Sequence, residues 1–140
     1  MKFGTFDSYR SDAAKVVVEA GSIARRVAAE SVAPKHLLAA IAGAVDTAGG
    51  RMCERLSLRY AIGDYSTADA SAGEGWNISW SSAAEEVIEL AAASGADLGY
   101  VDTSVLLRCL LLVEDAEISE ILSGCGLSVG EALDAIDATP

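Results

Sequence analysis

Apolar residues recur along this chain at spacings of three, four and seven, and nowhere do they alternate for long enough to mark a strand. Ala13, Val16, Val17, Ala20, Ile23, Ala24 and Val27 form one such stripe and predict a helix over 11–29, with Ser11 as its N-cap and Asp12 as a first-turn acid. Pro34 suits a first helical position and opens a short second helix through His36, Leu37, Leu38 and Ile41 that stops at Gly43. A third spans 47–56, with fraying expected at Gly49 and Gly50, and 58–62 adds one more turn. Residues 63–79, GDYSTADASAGEGWNIS, are small, polar and aperiodic, which reads as a linker.

Helical periodicity then restarts. SAAE at 82–85 matches a capping box and opens a helix carrying Ala84, Val87, Ile88, Ala91 and Leu98. Asp102 or Thr103 caps a helix through Leu106, Leu107, Leu110 and Leu111. Another runs from Asp115 to Leu122 and ends at Gly124. A second capping box, SVGE at 128–131, starts the last helix through Leu133 and Ile136.

The two patterns superpose. Tyr9/Trp80, Ala13/Ala84, Val16/Val87, Val17/Ile88 and Ala20/Ala91 match at an offset of 71, and Val32/Val101, Leu37/Leu106, Leu38/Leu107, Ile41/Leu110 and Leu58/Leu127 at 69. A helical unit of about 70 residues is duplicated, and each copy offers the other an apolar face to cover. The fold class is therefore all-α: two tandem pseudo-twofold repeats of about four helices each, over 5–62 and 80–137, packed into one domain of 1–140.

Composition narrows the function. With 140 residues, 51% hydrophobic and 22% charged, the chain can bury one sizeable core. Ten bases against 21 acids give a net charge of −11, which argues against nucleic acid and acidic membrane surfaces as partners. The charge is unevenly placed: 1–62 holds nine bases and six acids, a balance of +3, and 63–140 holds Arg108 and fifteen acids, a balance of −14. Cys53, Cys109 and Cys125 are odd in number and widely spaced, so reduced packing thiols and a cytoplasmic location are expected in place of a disulfide framework or zinc site. The sequence shows no secretory h-region and no membrane span, since the apolar run over 105–113 is broken by Arg108.

Several segments together carry a family likeness. Phe6 and Tyr9 precede AAKVVVEA at 13–20, and APKHLL at 33–38 opens the second helix. WSSAAEEV at 80–87 and YVDTSVLL at 100–107 repeat these features, and AEISEILSGCGL closes the pattern at 116–127. In order, spacing and duplication they resemble the N-terminal double Clp repeat of the AAA+ Clp unfoldases, over nearly all of 5–137. The resemblance implies a helical domain that recruits substrates and adaptor proteins for an ATP-driven ring. No G-x-x-x-x-G-K-[ST] phosphate loop is present, so a stand-alone, divergent member lacking the ATPase is expected, the other reading being an N-terminal fragment of a full unfoldase.

The resemblance also directs attention to particular residues. Some family members bind phosphorylated arginine through a glutamate and a threonine in each repeat, and Lys35 and Ser104 stand at the glutamate positions, Arg10 and Ser81 at the threonine positions. A guanidinium needs a carboxylate for bidentate pairing and Lys35 repels it, so that activity is expected to be lost in the first repeat. Arg10 with Lys35 is a candidate anion site or, equally simply, two solvated bases near helix starts. In actinobacterial relatives a surface between the repeat starts takes cyclic-peptide natural products, and its positions map to Phe6, Val17, Val18, Gly21, Trp80, Glu85 and Glu89. Aromatic anchors of this kind also suit peptides, although Phe6 and Trp80 alternatively just cover the helix starts.

Catalytic chemistry finds no support. His36 is the only histidine, leaving no Ser-His-Asp, Cys-His or metal-ligand constellation, and it matches the family's own helix-start histidine. No cofactor or metal is expected. Glu114, Asp115, Glu117 and Glu120 form a solvated acidic face or a docking patch for a basic partner, and Trp76 in the linker is a further exposed-aromatic candidate. The expectation is a non-enzymatic binding protein for peptides, adaptors or cyclic-peptide Clp ligands, acting as accessory factor or decoy. The alternative is a regulatory subunit docking on a Clp ring through its acidic second repeat.

Overall fold

The computed structural model describes residues 9–56 and 79–137. The turn expected at 58–62, the linker up to residue 78, Phe6 and Trp76 lie outside the described residues. Seven helices and no strand are found among those described: α1 (Ser11–Arg26), α2 (Pro34–Gly43), α3 (Ala48–Arg55), α4 (Ser82–Leu98), α5 (Thr103–Leu112), α6 (Ala116–Gly124) and α7 (Val129–Asp137). Three belong to the first repeat and four to the second.

Local chemistry explains most of the starts. Thr47 accepts from the Gly50 amide, Asp102 from the Ser104 and Val105 amides, and Asp115 from the Glu117 and Ile118 amides. Ser128 and Glu131 form the reciprocal capping box expected of them, at 3.1 and 3.2 Å. Two caps fall one residue earlier than the sequence suggests. Arg10, which supplies no side-chain bond, is the N-cap of α1, and Ser81 caps α4 by accepting from the Ala84 amide. In both, the amide of the cap residue pairs with the other repeat, so residues 10 and 81 are the last extended positions before their helices.

The centre is built from α2 and α5. Leu37, Leu38 and Ile41 on one, and Leu106, Leu107, Leu110 and Leu111 on the other, are completely buried, and each such side chain contributes on the order of 1.5–3 kcal/mol by leaving water. The pairs matched at an offset of 69 thus occupy equivalent core positions. Around them α1 packs on α2 and α4 on α5, while α3 leans on α5 and α6 on α2, so the third helix of each repeat covers the opposite repeat. One contiguous cluster of buried residues runs through both halves.

Gly49 and Gly50 do not fray. Both are buried, and the Gly49 amide donates to the Thr103 hydroxyl at 2.8 Å. A Cβ on Gly49 would sit 2.6 Å from the Thr103 carbonyl oxygen, so glycine is what lets the start of α3 touch the start of α5.

Candidate functional site

The repeats are joined along two seams that the pseudo-twofold relates. Tyr9 pairs with Val101 and Trp80 with Val32 as short parallel bridges. In the first seam the Arg10 amide donates to the Val101 carbonyl at 2.8 Å; in the second the Ser81 amide donates to the Val32 carbonyl at 3.0 Å, and the Val32 amide donates to Ser79 at 2.9 Å. Each repeat's leading segment therefore pairs with the loop between the first two helices of the other. The sequence matches Tyr9/Trp80 and Val32/Val101 are these four residues.

Equivalent backbones carry different side chains. Beside the first seam the Arg10 guanidinium stacks over the Tyr100 ring, 4.5 Å from its centroid. The matching positions beside the second are Ser81 and Ser31, too small to cover it in that way. Tyr9 extends its hydroxyl to the Ile88 carbonyl of α4 at 3.0 Å, and burial pushes its phenol well above the usual range. Trp80, the counterpart of Tyr9, is half-buried against the core. Val17, the counterpart of Ile88, is also half-buried, and its neighbour Val18 is 51% exposed.

Of the residues expected on the inter-repeat surface, Val17, Val18 and Gly21 lie on α1 and Glu85 and Glu89 on α4, with Trp80 just ahead of that helix. Gly21 is buried and offers no side-chain contact; Glu85 is half-buried and Glu89 exposed. Phe6, the other expected anchor, lies outside the described residues. The helix α4 contains no Lys or Arg, so its acids give that wall a negative charge.

Arg10 and Lys35 are each engaged separately. Arg10 stacks on Tyr100, and Lys35 Nζ lies 2.9 Å from a Glu117 carboxylate oxygen across α2 and α6. Within the acidic run, Asp115 is spent capping α6 and Glu117 pairs with Lys35, leaving Glu114 and Glu120 at the surface. No group of three or more His, Cys, Asp or Glu side chains that would hold a metal occurs among the described residues. No helix among them is long and apolar enough to cross a membrane. Cys53 and Cys109 are buried, and burial raises both thiols, Cys53 to about 12.

Comparison with solved structures decides the architecture. The Hsp104 N-terminal domain from Candida albicans superposes with a TM-score of 0.71 at 20% identity, over 94% of this chain and 90% of that one. This chain has the fold of a Clp N-terminal double-repeat domain. A second match, from preliminary structural investigations of a malarial protein secretion system, has a TM-score of 0.67 at 20% identity over 93% of this chain and 92% of its own. No protein-family model matches, and no curated protein does. Against this fold, Tyr9, Val32, Tyr100 and Val101 are the residues that sequence reasoning left out of the inter-repeat surface. The matches Tyr9/Trp80 and Val32/Val101 were the signal that marked three of them.

Proposed function

We propose that this Clp N-domain-type protein is a non-enzymatic binding module whose ligands are peptide segments, taken at the surface flanking the Val32–Trp80 seam. The observation that carries the reading is the fixing of Trp80. Two backbone hydrogen bonds to Val32, at Ser79 and Ser81, flank Trp80 and hold its main chain, and the residue is half-buried against the core. A rigid, partly exposed aromatic loses little entropy on binding, which is what makes such residues anchors. Val18 adds exposed apolar surface, and Glu85 and Glu89 favour a ligand with a basic group.

Adaptor segments and cyclic-peptide ligands of Clp unfoldases fit the same description. Where the domain acts apart from an ATPase ring, it competes with unfoldase N-domains for such ligands as an accessory factor or decoy in the cytoplasm, once its concentration exceeds the Kd. The test is calorimetry with a reduced, carbamidomethylated lysozyme chain, an unfolded basic polypeptide, and with a cyclic-peptide Clp ligand, on the wild type and a Val18→Asp, Trp80→Ala variant. Binding weakened at least about tenfold in the variant, or about 1.4 kcal/mol, supports the reading. Equal affinities in both proteins overturn it.

A further inference from the structure

His36 is 1% exposed at the third position of α2, and no part of the binding reading uses it. Its Nδ1 accepts a hydrogen bond from the Ala33 amide at 2.9 Å, so Nδ1 is unprotonated and the ring proton sits on Nε2. Ala33 is the N-cap and has no side chain with which to cap. In the second repeat Asp102, which matches Ala33 at the offset of 69, caps instead through its own carboxylate, accepting from the Ser104 and Val105 amides. Val105 stands where His36 would be, so an imidazole holding the amide of the cap residue belongs to the first repeat alone among the two.

Ala33 also stands between two fixed neighbours. Pro34 follows it, restricting Ala33 to the extended backbone observed, φ −105° and ψ 163°. Val32 precedes it and carries both hydrogen bonds of the Trp80 seam. A change at the Ala33 amide has little slack in which to be absorbed before it reaches Val32.

We infer that His36 is a proton-operated latch on the Val32–Trp80 seam: protonation of Nδ1 removes the acceptor of the Ala33 amide, frees the start of α2 and loosens the pairing that fixes Trp80. Two donors then face each other, and the new imidazolium lies at a helix N-terminus, where positive charge is disfavoured. Lys35 is the charged group on the same helix and opposes protonation; Glu117, facing from α6, favours it but is already paired with Lys35. The titratable groups buried on α3 and α5, which also pack on α2, are the Cys53 and Cys109 thiols, both neutral in this range. Burial, reinforced by Lys35, holds the imidazole below its ordinary 6.5, so the latch stays closed at neutral pH and opens on acidification.

The first seam has no histidine and serves as the internal reference. The experiment is amide hydrogen exchange by NMR between pH 7 and pH 5, corrected for intrinsic rates, with the imidazole followed through its single Hε1 resonance. Protection of the Val32 and Ser81 amides is expected to fall at least about tenfold as the imidazole titrates, while the Arg10 amide at the other seam holds. In His36→Gln, whose amide oxygen supplies the same acceptor without titrating, all three stay flat. The same pH response in His36→Gln overturns the latch, as does equal loss at Arg10 or a histidine titration without change at Val32. Should His36→Gln not fold, the last two outcomes in the wild type decide. The readout needs no ligand, so its failure is separate from failure of peptide binding.

Discussion

The Tyr9 hydroxyl donates to the carbonyl oxygen of Ile88, 3.0 Å away and 79 positions along the chain. It ties the leading segment of the first repeat to the first helix of the second, next to the Arg10–Val101 bond that pairs the same segment with the following loop. Ile88 lies inside α4, so its carbonyl remains a helical acceptor without the phenol. Tyr9→Phe should therefore cost only the net worth of one hydrogen bond, about 1 kcal/mol, read as a lower urea midpoint with an unchanged m-value. No loss of stability would show that the bond does not contribute.

Gly49 makes a larger demand. Ala at this position places a methyl carbon 2.6 Å from the Thr103 carbonyl oxygen and 2.8 Å from its Cβ, against backbone that cannot turn aside. Gly49→Ala should lower the unfolding free energy by about 1–3 kcal/mol, in spite of alanine's better helix propensity. Thr103→Val, which leaves the Gly49 amide buried without its acceptor, should fall in a similar range of about 1–3 kcal/mol. Chemical denaturation of the two variants checks both values.

The ends of α1 and α4 test the duplication itself. Ala28 has φ +58° and Gly99, its match at an offset of 71, has φ +88°. Ala28 closes α1 through bonds from its own amide to Arg25 and from the Ala29 amide to Ala24, which require the left-handed conformation. Alanine is strained there by roughly 1 kcal/mol and glycine is not. Ala28→Gly should be neutral to stabilising by up to about 1 kcal/mol, and Gly99→Ala destabilising by about 1 kcal/mol. Opposite signs in thermal melts are the expected outcome; two losses of equal size would contradict it.

Much of this was legible in the chain because it is local or repeated. Pro34, Thr47, Asp102, Asp115 and the Ser128–Glu131 pair mark helix starts through chemistry within four residues, and the matched apolar positions locate the core. What escaped depends on the other repeat. The glycines at 49 and 50 look like helix breakers until Thr103 arrives beside them, and Ser82 looks like the cap until the Val32 carbonyl claims the Ser81 amide. Arg10 and Lys35 read as two solvated bases or an anion site because neither Tyr100 nor Glu117 is near them in sequence. On the candidate surface the residue types were legible, whereas the burial of Gly21 and the exposure of Val18 were not.

Alkaline pH should unfold the protein through its buried acids. The Cys53 thiol is raised from 9.0 to about 12, and the Tyr9 phenol is raised from 10.0. For both, the unfolded chain loses its proton first, so stability is complete below pH 9 and declines as pH rises above it. Thermal midpoints should fall from pH 9 upward, and Cys53→Ala should show a shallower decline from a lower starting value. A decline of the same slope in that variant would exclude Cys53 as a source.

The central claim is that ligands meet this fold at the surface flanking the Val32–Trp80 seam, and chemical-shift mapping tests it most directly. The labelled protein is titrated with a reduced, carbamidomethylated lysozyme chain and the backbone and indole resonances are followed. The account predicts that the largest shifts fall on Val17, Val18, Trp80, Glu85 and Glu89, with the Trp80 indole among them. Shifts concentrated on Glu114, Glu120 and the rest of α6, or no saturable shifts at all, would contradict it.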